Sequence, residues 1–184
     1  IEDKLEQVAK ALDTAQEVLD KQNKEKEEFK DATKKADLTE ESLKVALRQE
    51  IGQGLVSVEK EDDKVIVTVG AGGAFPSGTA QLTPAAKKIM SNIAEINKKG
   101  SSTIKVTGHT DNVPLLFGSQ YRDNWDLAAA RAASVVQNLQ ETNVIDAKRL
   151  IATSKGETQP IASNQTRQGR SKNRRIEIEI NYGK

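Results

Sequence analysis

Apolar positions recur along this chain with two different periods, and each period predicts a different element. Over residues 1–36, Ile1, Leu5, Val8, Leu12, Ala15 and Leu19 alternate steps of four and three, the spacing of a coiled-coil seam. Gln22 and Lys26 occupy the next seam positions before Phe29, so the seam fades. A weakly pairing helix and a solvated helical linker or partly disordered arm both fit this pattern. The run Asp37-Leu38-Thr39-Glu40 then predicts a fresh helix. Thr39 is its expected N-cap, Glu40 and Glu41 suit its first turn, and Leu38 is placed to staple Leu43. Leu43, Leu47 and Ile51 form its stripe, and Gly52 and Gly54 stop it.

The period then changes to two. Strands are predicted over residues 55–60 and 64–69, joined by Glu61-Asp62-Asp63, with Val65, Val67 and Val69 on one face. Residues 70–78 read as a loop. Its glycines lack the Lys-Ser/Thr that a phosphate cradle requires. Thr83 caps a helix predicted over residues 84–99, with Pro84 first and Ile89, Ile93 and Ile96 facing the core. Its lysines, 87, 88, 98 and 99, read as a solvated face. A strand over residues 103–107 follows, and a helix between two strands of one sheet favours parallel pairing. Residues 113–123 form a long loop whose Leu115, Leu116, Phe117 and Tyr121 most simply cover the domain; contact with glycan or a second subunit stays open. From Asn124 a helix carries Leu127, Ala130, Val135 and Leu139, with Trp125 expected to pack beneath its start and stacking on sugar the alternative. Residues 149–153 read as a strand and 156–168 as a polar loop. Residues 173–180 read as a strand with Ile176, Ile178 and Ile180 inward.

Composition narrows the function. The net charge of +1 argues against a nucleic-acid binder driven by bulk charge, although Arg167, Arg170, Lys172, Arg174 and Arg175 cluster locally. No cysteine is present, so disulfide frames and thiolate metal sites are excluded. One histidine excludes multi-histidine metal sites, and no cofactor motif stands out. No run approaches the roughly 20 apolar residues of a membrane span, and no signal peptide is visible. The chain starts with Ile1, so it reads as a fragment.

The candidate chemistry lies in residues 104–131. Ile104 and Val106 alternate with Lys105 and Thr107, and the strand closes on Gly108-His109-Thr110-Asp111. Past the loop, Arg131 projects from the second turn of the next helix. A carboxylate can hold an ammonium and a guanidinium can hold a carboxylate bidentately, so the pair suits a small zwitterion. Spacing alone equally allows the two to bridge each other or cap local backbone. His109 with Asp111 could serve a hydrolase, but a positioned structural histidine is the simpler reading. No nucleophile-base set or paired-carboxylate site emerges.

A series of ordered motifs carries a resemblance. Gly108-His109-Thr110-Asp111, then Asn124-x-x-Leu127-x-x-x-Arg131-Ala132, Arg149, Gly156-x-x-x-Pro160-x-x-x-Asn164 and Gly169-Arg170-x-x-Asn173-Arg174-Arg175 follow one another. Over residues 38–182 the chain resembles the OmpA-like peptidoglycan-binding family, and most of all its MotB/PomB stator branch. The resemblance implies an α+β fold, a mixed sheet with helices on one side around a βαβαβ core. It divides the chain into a charged helical linker, 1–37, and a wall-binding domain, 38–184. It implies that Asp111 and Arg131 hold diaminopimelate of the peptidoglycan stem, with Thr110, Asn124, Leu127, Phe75, Asn173 and Arg174 around them. Pro76-Ser77 departs from the acidic pattern commoner beside the phenylalanine. The resemblance further implies a non-enzymatic, homodimeric periplasmic anchor, without cofactor or metal. A missing N-terminal transmembrane helix would join it to a channel-forming partner in the inner membrane. Another wall-anchoring or defence complex is the alternative, and a peptidoglycan hydrolase a lesser one.

Overall fold

A computed structural model of the protein describes residues 1–183. Its first element is one helix, α1 (Glu2–Ala46), unbroken through the expected new start at Thr39. Thr39 does not cap it. Its side chain is buried and its hydroxyl meets the Tyr182 hydroxyl. Leu38 points to solvent and staples nothing. Ala32, Ala36, Thr39 and Leu43 repeat at steps of four, three and four, and these are the buried positions of α1. Small side chains at 32 and 36 let the helix lie close to the domain, and Lys60 pairs with Asp37 at 2.7 Å beside them. Residues 1–31 are exposed throughout, an arm of about 45 Å at 1.5 Å per residue. Its seam residues Leu5, Val8, Leu12 and Leu19 lie open to water.

A short helix, α2 (Arg48–Gly52), leads into a hairpin of β1 (Val56–Glu61) and β2 (Lys64–Gly70). Asp62 takes φ 54° at its tip, a left-handed turn that a short polar residue tolerates. The expected loop at 70–78 begins with one helical turn, α3 (Ala71–Ala74). Then come α4 (Pro84–Ile96), β3 (Thr103–His109), α5 (Asn124–Glu141), β4 (Leu150–Gly156), α6 (Arg167–Asn173) and β5 (Arg175–Asn181). Thr83 caps α4 by accepting from Ala86 N. That helix stops before the expected Lys99, where buried Asn97 turns its amide back onto Ile93 O. Helix α6 falls in the stretch expected to be loop and strand start. Thr166, which accepts from Gly169 N, was the signal for it.

The sheet order is β1-β2-β5-β3-β4. Strands β2 and β3 run parallel but do not pair as expected; β5 inserts between them, antiparallel to both. The parallel pair is β3 with β4, crossed over by α5. Val65, Val67 and Val69, Ile104 and Val106, and Ile176, Ile178 and Ile180 turn one face of the sheet inward, where Ile89, Met90 and Ile93 of α4 and Val135 and Leu139 of α5 cover it. The opposite face is polar, with Glu179 between Lys64 at 3.4 Å and Lys105 at 3.9 Å. Among the described residues, no helix is long and apolar enough to cross a membrane.

Candidate functional site

The site forms where β3 ends and α5 begins, and a close backbone contact sets their spacing. Gly108 lies under α5, so near that a β-carbon there would fall 2.2 Å from Ala128 O. Beyond it, Thr110 N donates to Gly156 O at 2.8 Å, continuing the ladder toward β4. Asp123 caps α5 by accepting from Asp126 N. In the first turn Asn124 donates its amide to Asp111 O at 3.3 Å and Val113 O at 3.1 Å. Strand end and helix start are therefore tied together at the residue that carries the acid.

Asp111 and Arg131 line one open cleft of about 590 Å³ and do not bridge each other. The carboxylate is buried and already engaged: Oδ1 accepts from Val113 N at 3.1 Å, and Oδ2 pairs with Arg174 Nη1 at 2.6 Å. Arg131 is 6% exposed, stacks over the Phe75 ring at 4.9 Å, and donates Nε to Thr79 O at 2.9 Å. Among the described residues, no protein acceptor meets its Nη1 or Nη2. Burial pushes its pKa below the usual guanidinium value, with the Arg174 charge adding to that effect and Tyr121 and Asp111 opposing it. An unoccupied planar fork on a partly desolvated cation suits a carboxylate.

Of the eight residues expected at the site, Asp111, Arg131, Thr110, Asn124, Leu127, Phe75 and Arg174 line this cleft. Asn173 does not. It is fully buried behind Arg174, where its amide accepts from Ile161 N and Ala162 N and donates to Ala162 O and Asn164 Oδ1. It fastens the 159–166 loop instead of reaching a ligand. Thr110 turns its hydroxyl onto Asp111 O at 2.8 Å. Sequence reasoning missed the Asp111–Arg174 pair, the Thr79 carbonyl that holds Arg131 Nε, and the places of Ser77 and Gly78 in the cleft lining. The local signal was the alternating strand after Arg174. Once β5 lies beside β3, with Arg175 opposite His109, position 174 comes alongside 110 and 111.

The 113–123 loop borders the cleft with Val113, Pro114, Leu115 and Leu116. It covers the domain only in part: Leu115 and Tyr121 are half-buried, whereas Leu116 and Phe117 are open to solvent. Trp125 is half exposed and rests on Gly156, so it is not buried beneath the helix start. The basic cluster is largely engaged within the domain: Arg170 donates to Asn164 O, and Arg175 to Glu177 Oε1 and Gln159 O.

His109 lies outside the cleft lining, buried, with Nε2 3.4 Å from Glu177 Oε2. The His109 imidazole and the Arg175 guanidinium hold the Glu177 carboxyl down at about 2, against burial that raises it; the Arg175 contact, at 2.8 Å, is the tighter. A carboxyl depressed on folding stabilises the native state above its unfolded pKa, and that contribution is lost as pH falls through the folded value. The window runs from the ordinary value of 4.5 down to about 2. Glu177→Gln is therefore expected to flatten the fall in melting temperature across that window. An acid limb as steep as in the unaltered protein would refute this account of the pair.

Comparison with known proteins adds an independent line. The OmpA family profile matches residues 74–174. Motility protein B of Bacillus subtilis is 40% identical over 120 residues, 63% of this chain and 44% of that protein. Peptidoglycan-binding protein ArfA of Mycobacterium tuberculosis is 36% identical over 109 residues, 59% of this chain and 32% of that protein. Among solved structures, the cell wall anchor of the T6SS from Pseudomonas aeruginosa superposes with a TM-score of 0.67 at 33% identity, over 76% of this chain and 96% of that one. The chain thus spans less than half the length of these two sequence relatives.

Proposed function

The chain belongs to the OmpA family, and from that premise we propose that it is a non-catalytic module that grips peptidoglycan through a diaminopimelate-bearing stem peptide. The observation that carries this reading is the free Arg131 fork, held across an open cleft from a buried acid. Arg131 takes the terminal carboxylate of the diamino acid, and Asp111 shares its charge with the neighbouring ammonium. A lysine stem lacks that carboxylate and leaves the fork unpaired, which disfavours it. The names of two relatives, a peptidoglycan-binding protein and a cell wall anchor, support the same reading.

Residues 38–184 act as the wall-binding domain and 1–37 as the linker, whose exposed part is 1–31 and whose end packs on the domain at Ala32 and Ala36. The likeness to motility protein B favours an anchor on the periplasmic side for an inner-membrane, ion-driven flagellar stator, joined to a channel-forming partner through a transmembrane segment. The likeness to the T6SS anchor favours a second reading, the same grip serving another envelope machine. In either case two copies paired along the arm would hold the wall by two weak sites at once, raising the effective strength without new contacts.

A hydrolase is disfavoured because His109 stands outside the cleft and Asp111 is ion-paired with Arg174. Incubation with isolated diaminopimelate-type sacculi discriminates the readings. The protein is expected to pellet with the sacculi and to release no soluble muropeptides over time. Release would make it an enzyme, and failure to pellet would remove the binding reading. Sedimentation of the free protein tests the arm: a mass that stays monomeric at every concentration would exclude pairing.

A further inference from the structure

The cleft carries a charge imbalance that a single zwitterion does not answer. Its titratable lining consists of one acid, Asp111, and two bases, Arg131 and Arg174. Asp111 spends one carboxylate oxygen on Arg174 and the other on Val113 N. Arg174 is only partly covered, its side chain 40% exposed, and uses one nitrogen of its fork in that pair. Its Nε and Nη2 have no protein acceptor among the described residues. The two guanidiniums also sense each other, since the Arg174 charge disfavours protonation of Arg131.

A ligand with one ammonium and one carboxylate would sit against Asp111 and Arg131 and leave the cleft with an excess positive charge. It would also draw Asp111 toward its ammonium and loosen the one partner that Arg174 has. Both costs vanish if the ligand brings a second carboxylate to Arg174. We propose that Arg174 is a receptor for a second ligand carboxylate, so that the cleft selects peptides carrying one ammonium and two carboxylates. This rests on the stem-peptide reading and sharpens it. The first carboxylate belongs to the free end of the diamino acid, and the second to the residue joined to it. Amidation of that second group, which removes its charge and leaves its size, becomes a means of controlling wall attachment.

The test is a calorimetric titration of the protein with two soluble stem peptides. Both contain diaminopimelate with its terminal ammonium and carboxylate free. One has the neighbouring carboxylate free and the other has it amidated. The unaltered protein is expected to bind the free form about five- to ten-fold more tightly, the worth of a charge-assisted contact at a half-exposed position. Arg174→Gln is expected to bind both peptides equally, at about the strength the unaltered protein shows for the amide. If the unaltered protein binds both peptides equally well, the inference is overturned and the stem-peptide reading stands; Arg174 then only holds Asp111. If Arg174→Gln weakens both peptides by the same factor, keeping the preference, the second carboxylate is read by another group and the inference also fails. If the unaltered protein binds neither peptide, the stem-peptide reading falls and takes the inference with it. The first arm uses no variant, so a folding defect in Arg174→Gln cannot obscure the outcome.

Discussion

Arg131→Ala is expected to bring the protein down to background in a sacculus pelleting assay, a loss of about a hundred-fold or more. The fork has two free nitrogens facing the cleft, and a bidentate charge-assisted contact in a partly desolvated place is worth about 3 kcal/mol. Alanine removes that contact and adds nothing in its place. Stability changes far less. The Nε bond to Thr79 O and the stacking over Phe75 disappear. Each contributes on the order of 1 kcal/mol, and removing a buried cation relieves part of its desolvation. Binding should therefore vanish while the melting temperature falls by only a few degrees. Arg131→Lys separates charge from shape. A lysine keeps the charge but cannot bond Thr79 O and offer a fork to the ligand together, so it should recover little. Pelleting at full strength by either variant, with the fold intact, would refute the assignment of Arg131 as the carboxylate receptor.

The parts of this molecule that local sequence could announce were those whose partners are local or periodic. The alternation of Val65, Val67 and Val69, and of Ile176, Ile178 and Ile180, specifies strands with one buried face, and both sets are buried. Thr83 followed by Pro84 specifies a helix start, and α4 starts there. A strand closing on Asp111 and a helix carrying Arg131 soon afterwards specify two opposite charges on adjacent elements, and both line one cleft. The OmpA-like α+β architecture comes from the resemblance of the ordered motifs; the elements alone put β2 beside β3, where β5 in fact lies. What stayed hidden depends on distant partners. Thr39 has the local chemistry of an N-cap, but Tyr182, 143 residues away, takes its hydroxyl, and the helix runs through. Local sequence shows Arg174 as one cation of a basic cluster, and the resemblance sets it near the site, but its partner is fixed only when β5 inserts beside β3 and brings it to Asp111, 63 residues earlier. Phe117 is as apolar as Phe75, yet one is fully exposed and the other buried. Composition sets the cost of exposing a side chain, and the path of the loop decides whether that cost is avoided.

Gly108→Ala should be the most destabilising single-methyl change at this site, costing roughly 3 kcal/mol, the upper end of overpacking effects. The methyl would lie 2.2 Å from Ala128 O, 2.8 Å from its carbonyl carbon and 3.0 Å from its Cα. All three are backbone atoms of α5, so no side chain can rotate away, and the helix itself must lift from β3. The objection is one of space, because the backbone of Gly108 is ordinary strand in register with Ile176 and Ser154. Gly52→Ala supplies the control. That exposed glycine has no atom within 4 Å of an added β-carbon, so the change should be neutral or stabilising by up to about 1 kcal/mol. Urea midpoints of the two variants measure the difference directly. The consequence for binding follows from the same contact. The helix that would lift carries Asn124, which holds the backbone of Asp111 and Val113, and Arg131, which faces Asp111 across the cleft. A folded remnant of Gly108→Ala should thus bind sacculi more weakly than its folded fraction accounts for. Equal midpoints for the two variants would mean that β3 and α5 are not held at this distance, and the separation of acid and fork would then be set by something other than the glycine.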